Sequence, residues 1–133
     1  MIKEIAEKII TILKADSDLN FDWYFEPPVR AKSFPYGFVD FRGGEEVKSS
    51  REKMLYNWIY YIVIVDRKRS DTDDVEKAVM DRTDRAVDIL KGNPTLDGTV
   101  ETSRVTAIEG DYAITEQGNF IGTRITLRTW VWK

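Results

Sequence analysis

Leu55-Tyr56-Asn57-Trp58-Ile59-Tyr60-Tyr61-Ile62-Val63-Ile64-Val65 reads as a β-strand with two apolar faces. Tyr56, Trp58, Tyr60, Ile62 and Ile64 alternate with Leu55, Ile59, Tyr61, Val63 and Val65, and β-branched and aromatic side chains are the ones that fit a pleated surface. Because both faces are apolar, the strand belongs in the middle of a sheet, with helix covering one side and something else the other.

Working upstream, Gly43–Lys53 carries Glu45, Glu46, Lys48, Arg51 and Glu52 and almost nothing apolar, which predicts a projecting hairpin arm rather than core. Tyr36–Arg42 alternates as a strand, which the Gly43-Gly44 pair is expected to break. Phe21-Asp22-Trp23-Tyr24-Phe25-Glu26 is a short strand or extended edge segment, closed by Pro27-Pro28, which cannot donate to a ladder. Ile2, Ile5, Ile9 and Ile12 recur at steps of three and four beside Ala6 and Leu13. That spacing predicts an amphipathic helix of about four turns, stopping near Asp16–Asn20.

Downstream, Asp66–Ser70 reads as a charged turn, and Asp73 with Glu76 three residues on resembles a capping box. The helix that follows gathers Val75, Ala78, Val79, Arg82, Ala86, Ile89 and Leu90 on one face and stops at Gly92-Asn93-Pro94. Thr99–Ile108 is the next strand; a break at Gly110-Asp111 precedes its continuation over Tyr112–Thr115. In the closing strand, Ile121, Ile125, Leu127 and Val131 form a core face, while Arg124, Thr126, Arg128, Trp130 and Trp132 mix cations with aromatics on the other. The expected fold is a single α+β domain over residues 1–133: a mainly antiparallel sheet with two helices packed on one face and a projecting hairpin arm.

Composition narrows the chemistry. The 133 residues contain no cysteine and no histidine, which excludes disulfides, zinc sites built from those ligands, thiol nucleophiles and a Ser–His pair. A formal charge of −3 gives no overall attraction to nucleic acid or anionic lipid. The N-terminal residues lack the apolar core of a secretory signal, and no stretch has the length of a membrane span, so a soluble, cytoplasmic protein is expected.

Four constellations bear on function. Trp130, Trp132, Arg124 and Arg128 are residue types enriched at interface hot spots; the alternative is a second core face, or pairing of the arginines with glutamates on a neighbouring strand. Glu45, Glu46, Lys48 and Arg51 in the arm suit electrostatic docking, against a plain solvated loop. Asp40, Glu46 and Lys48, or Asp66 with Lys68, echo the carboxylate–lysine pattern of metal-dependent nucleases, a pattern that arises often by chance in a chain this charged. Arg67-Lys68-Arg69 is basic but ringed by Asp66, Asp71, Asp73 and Asp74, so a solvated turn explains it. No glycine-rich phosphate loop is present.

The layout resembles the tail terminator proteins of long-tailed bacteriophages, the minor tail proteins of lambda-like type. The features that carry the resemblance are the N-terminal helix, the strand and charged arm, the aromatic strand Tyr56–Val65 and the helix Asp73–Lys91. To these add the connection Leu90-Lys91-Gly92-Asn93-Pro94-Thr95-Leu96-Asp97-Gly98-Thr99-Val100 and the closing strand Thr123–Trp132. Head-completion and neck proteins share this pattern. The resemblance implies a non-enzymatic virion protein with no catalytic, cofactor or metal site. It further implies six copies in a ring that caps the tail tube in the host cytoplasm, stays at the head-proximal end of the tail, and joins it to a head-completion or neck protein. No membrane contact and no specific nucleic-acid binding go with that role. The candidate contacts are then Glu45, Glu46, Lys48 and Arg51 of the arm, and Arg124, Arg128, Trp130 and Trp132 of the sheet.

Overall fold

The computed structural model describes residues 1–68, 74–112 and 120–133. Along the chain run α1 (Ile2–Lys14), β1 (Asp22–Tyr24), β2 (Tyr36–Ser49), β3 (Met54–Arg67), α2 (Val75–Lys91), β4 (Thr102–Tyr112) and β5 (Phe120–Trp132). They form the expected α+β architecture: one five-stranded sheet of order β1-β2-β3-β5-β4, antiparallel except for the β1–β2 pair. The two-faced strand is central, flanked by β2 and by β5 along its whole length.

Both helices lie on one face of this sheet. Ile5, Ile9 and Leu13 of α1 and Ala86, Val87 and Leu90 of α2 meet Trp58, Tyr60, Ile62 and Ile64 of β3 and Ile125, Leu127 and Val131 of β5. Each fully buried aliphatic side chain contributes roughly 1.5–3 kcal/mol, which fixes the helices to the sheet. The Tyr60 hydroxyl donates to the Ile2 carbonyl at 2.9 Å. Burial pushes its pKa well above that of an ordinary phenol, so it stays a donor.

Several local expectations are corrected. Gly43-Gly44 does not end its strand: β2 continues to Ser49, and the glycines sit at a register shift between Phe41 and Gly44, a β-bulge. Gly43 takes φ +90°, open to glycine at little cost. The arm is therefore the far end of the sheet, with exposed charges on its outer strand and Met54 and Lys133 exchanging two 3.0 Å backbone hydrogen bonds on its inner side. Asp66 is not in a turn. It lies within β3, 2% exposed, and accepts a 2.8 Å ion pair from Arg82.

The N-cap of α2 is Asp74, which accepts from the Lys77 amide; Asp73, like Ser70 and residues 113–115, lies outside the described residues. On α2, Ile89 is only half-buried, while Thr83 and Val87 join the core. Thr83 is satisfied by donating to the Val79 carbonyl at 2.7 Å and by a hydrogen bond with the Thr123 hydroxyl of β5. The strand β4 starts at Thr102, after turns at 92–101, and runs through Gly110 and Asp111 rather than breaking there.

Candidate interaction surface

The face of the sheet opposite the helices is built from alternate residues of β2, β3, β5 and β4, and it divides into three zones. At one end, the segment between β1 and β2 folds over it. Tyr24, Ala31, Phe34 and Phe120 pack on Tyr36, Phe38, Val63 and Val65 as a second small core. Phe34 stacks on Phe120 at 5.2 Å, and the Arg67 guanidinium lies 5.0 Å from the Phe34 ring centre. This segment is the cover that the second face of β3 required, and it reaches only part of the way.

In the middle, Tyr61 is flanked by two cations, Arg124 at 4.2 Å and Arg42 at 5.2 Å from its ring centre. Arg124 also pairs with Glu109 of β4 at 2.5 Å, and Arg42 with Asp40 at 3.2 Å. Arg124 is thus paired across strands with a glutamate of its neighbour.

The far zone has no such cover among the described residues. Successive rows across the strands are Ile59–Arg128–Arg104, Asn57–Trp130–Thr102 and Leu55–Trp132. Leu55, Ile59, Trp130 and Trp132 belong to neither core cluster and are only half-buried. Arg104 and Arg128 stand directly opposite one another, an arrangement that is unfavourable in isolation, and neither has an ion-pair partner among the described residues. The Asn57 side-chain oxygen is buried and accepts no hydrogen bond from any of the described residues. It lines a hollow of about 280 Å³ with Gly44, Glu45, Ile59 and Arg128; a second hollow of about 410 Å³ is lined by Leu55, Glu101, Thr102, Ser103, Arg104 and Trp130.

The sequence-derived candidates are thus distributed as follows. Arg128, Trp130 and Trp132 share the open zone, with Arg124 beside it but engaged. Glu45 and Lys48 lie opposite Asn57 and Leu55 at its border, Glu46 lies opposite Tyr56 of the helix-facing set, and Arg51 is exposed in the hairpin turn. Reasoning from sequence missed Arg104 and Asn57, because only the strand register places them next to Arg128 and Trp130.

The nuclease pattern does not assemble. Asp40 sits opposite Tyr61 on the open face and is bound to Arg42, Glu46 is directed to the other face, and Asp66 is held by Arg82. Among the described residues no cluster of three acidic side chains is poised to hold a metal ion, and no helix is long and apolar enough to cross a membrane.

No family model and no curated protein matches the sequence. In fold, the chain is similar to one from a solved structure described as the virion of a native gene transfer agent (GTA) particle. The TM-score is 0.55 at 12% identity, over 94% of this chain and 92% of that one. At that identity the likeness is one of fold.

Proposed function

We propose that this protein is a non-enzymatic structural component of a phage-like virion, and more specifically a tail terminator: a ring of copies, six on the resemblance, that caps the tail tube and joins it to the head. The observation that carries the reading is the uncovered zone of the sheet. Two tryptophans, two aliphatic side chains and Arg128 are held half-exposed on a rigid central layer beside the exposed Arg104, neither arginine having an ion-pair partner among the described residues; this is the composition of an interface core. The fold likeness to a chain of a GTA virion, over nearly the full length of both, supports a virion setting. A neck or head-completion protein would use the same surface, and the partner then distinguishes the two roles.

Light-scattering mass and negative-stain images of the purified protein, alone and mixed with tail tubes, test the proposal. Multi-copy rings seated on tube ends are expected. Replacing both Trp130 and Trp132 by serine should weaken assembly by roughly 30-fold or more, since a single hot-spot truncation costs about 2 kcal/mol. A wild-type protein that stays monomeric in both conditions and leaves tube ends bare defeats the proposal.

A further inference from the structure

The two outer surfaces of this domain are complementary to each other. On the solvent side of α2, Asp81, Asp84 and Asp88 follow one another at steps of three and four, all exposed, and none forms a salt bridge among the described residues. The neighbouring cation Arg85 is engaged by Asp16 at 2.8 Å. Met80, one turn before Asp84, is 52% exposed. The line Met80–Asp84–Asp88 is therefore apolar, acidic, acidic, with steps of about 6 Å along a helix. Across the open zone of the sheet, the row Ile59–Arg128–Arg104 is apolar, basic, basic, with steps of about 4.8 Å between strands. Like charges held side by side oppose each other on each surface alone, and each set would be neutralised by the other.

Resting on the assembly reading above, we infer that the exposed ridge of α2 in one copy docks across the uncovered sheet zone of the next, with Met80 over Ile59, Asp84 on Arg128 and Asp88 on Arg104. The helix of the second copy supplies the layer this half of the sheet lacks, so that helices lie on both faces as they do in stable layered folds. Arginine side chains are long enough to absorb the difference between the two spacings and bind carboxylates through paired N–H groups. The buried Asn57 oxygen, which has no donor among the described residues, lies in the hollow beside this row, where Lys77 on the same ridge can supply one. Because the two patches occupy opposite layers of the molecule, the contact is head-to-tail and propagates from copy to copy until rotation closes it.

The geometry makes a reciprocal test available. Arg104→Glu/Arg128→Glu places acid against acid, Asp84→Lys/Asp88→Lys places base against base, and each double variant alone should assemble roughly 100-fold more weakly than wild type. Mixed in equal amounts the two should co-assemble, because each reversed patch then meets its reversed complement; sedimentation with and without tail tubes reads the mass. Thermal melts within a few degrees of wild type confirm that both variants fold. If the helix variant assembles normally while the sheet variant does not, the sheet zone takes a different partner: this inference fails and the structural role stands. If both assemble normally, or if neither rescues the other on mixing, the docking is wrong. If the sheet variant loses DNA binding at low salt but keeps its assembly, the arginine pair serves nucleic acid and the inference is overturned. A wild type that never assembles removes the structural role as well.

Discussion

Replacing Gly44 by alanine tests the idea that the bulge sets the register of the hairpin. A Cβ there would lie 2.0 Å from the Asn57 carbonyl oxygen, 2.8 Å from the Trp58 Cα and 2.9 Å from the Asn57 carbonyl carbon, all backbone atoms of β3. An acceptable carbon–oxygen contact is about 3.3 Å, so the strands must separate by roughly 1.3 Å. No rotamer change relieves a backbone clash. The separation disrupts one or two ladder hydrogen bonds at about 1 kcal/mol each, on top of an overpacking cost of about 1–3 kcal/mol. A loss of about 2–4 kcal/mol follows, equivalent to a fall in Tm of roughly 10 °C for a domain of this size. Gly43→Ala is the control: nothing lies within 4 Å of its Cβ, and only the φ of +90° resists it, at about 1 kcal/mol. Melting followed by far-UV circular dichroism should rank wild type, then G43A, then G44A. A G44A protein melting within about 2 °C of wild type would refute the steric argument.

Two ion pairs give further outcomes. Arg82→Met strips the 2.8 Å partner from the buried Asp66 and should cost about 2–3 kcal/mol in urea unfolding. Adding Asp66→Asn should recover part of that loss; no recovery would mean that the arginine stem, not its charge, matters. At the surface, the hydrogen bond from Arg85 holds the Asp16 carboxyl below the ordinary aspartate value. A depressed folded pKa means the tether is fully present above the unfolded value of about 3.9 and is lost as pH falls through the folded one. Wild type should therefore exceed Asp16→Asn in stability near neutrality, and the two should converge in acid; a gap that widens on acidification would contradict the assignment.

The sequence showed the position of β3 and the two faces of β5 because burial on both sides, or on one, leaves a period-two pattern that no distant residue alters. What it hid depends on partners far along the chain. A Gly-Gly pair signals an end and a bulge equally well, and only the proximity of Asn57 and Trp58 decides between them. Asp66 looks like turn chemistry until Arg82 is brought to it from the next helix. Thr83 is polar in the sequence and buried in the fold because Thr123 lies forty residues away. In the candidate site, Trp130, Trp132 and Arg128 stood out by type and spacing. Arg104 did not, since its place opposite Arg128 depends on a register shift between Val105 and Ala107.

The position of β3 between β2 and β5 governs the order in which the fold can be made. β3 ends at Arg67 and β5 at Trp132, so the most apolar strand of the chain is complete about 65 residues before its second neighbour is. At roughly 5–20 residues per second, that interval lasts about 3–13 s. Throughout it, one edge of the strand carries unpaired amides and carbonyls, a template for pairing between nascent chains. Slowing elongation between β3 and β5 should consequently lower soluble recovery, because that recovery is set by how soon β5 arrives.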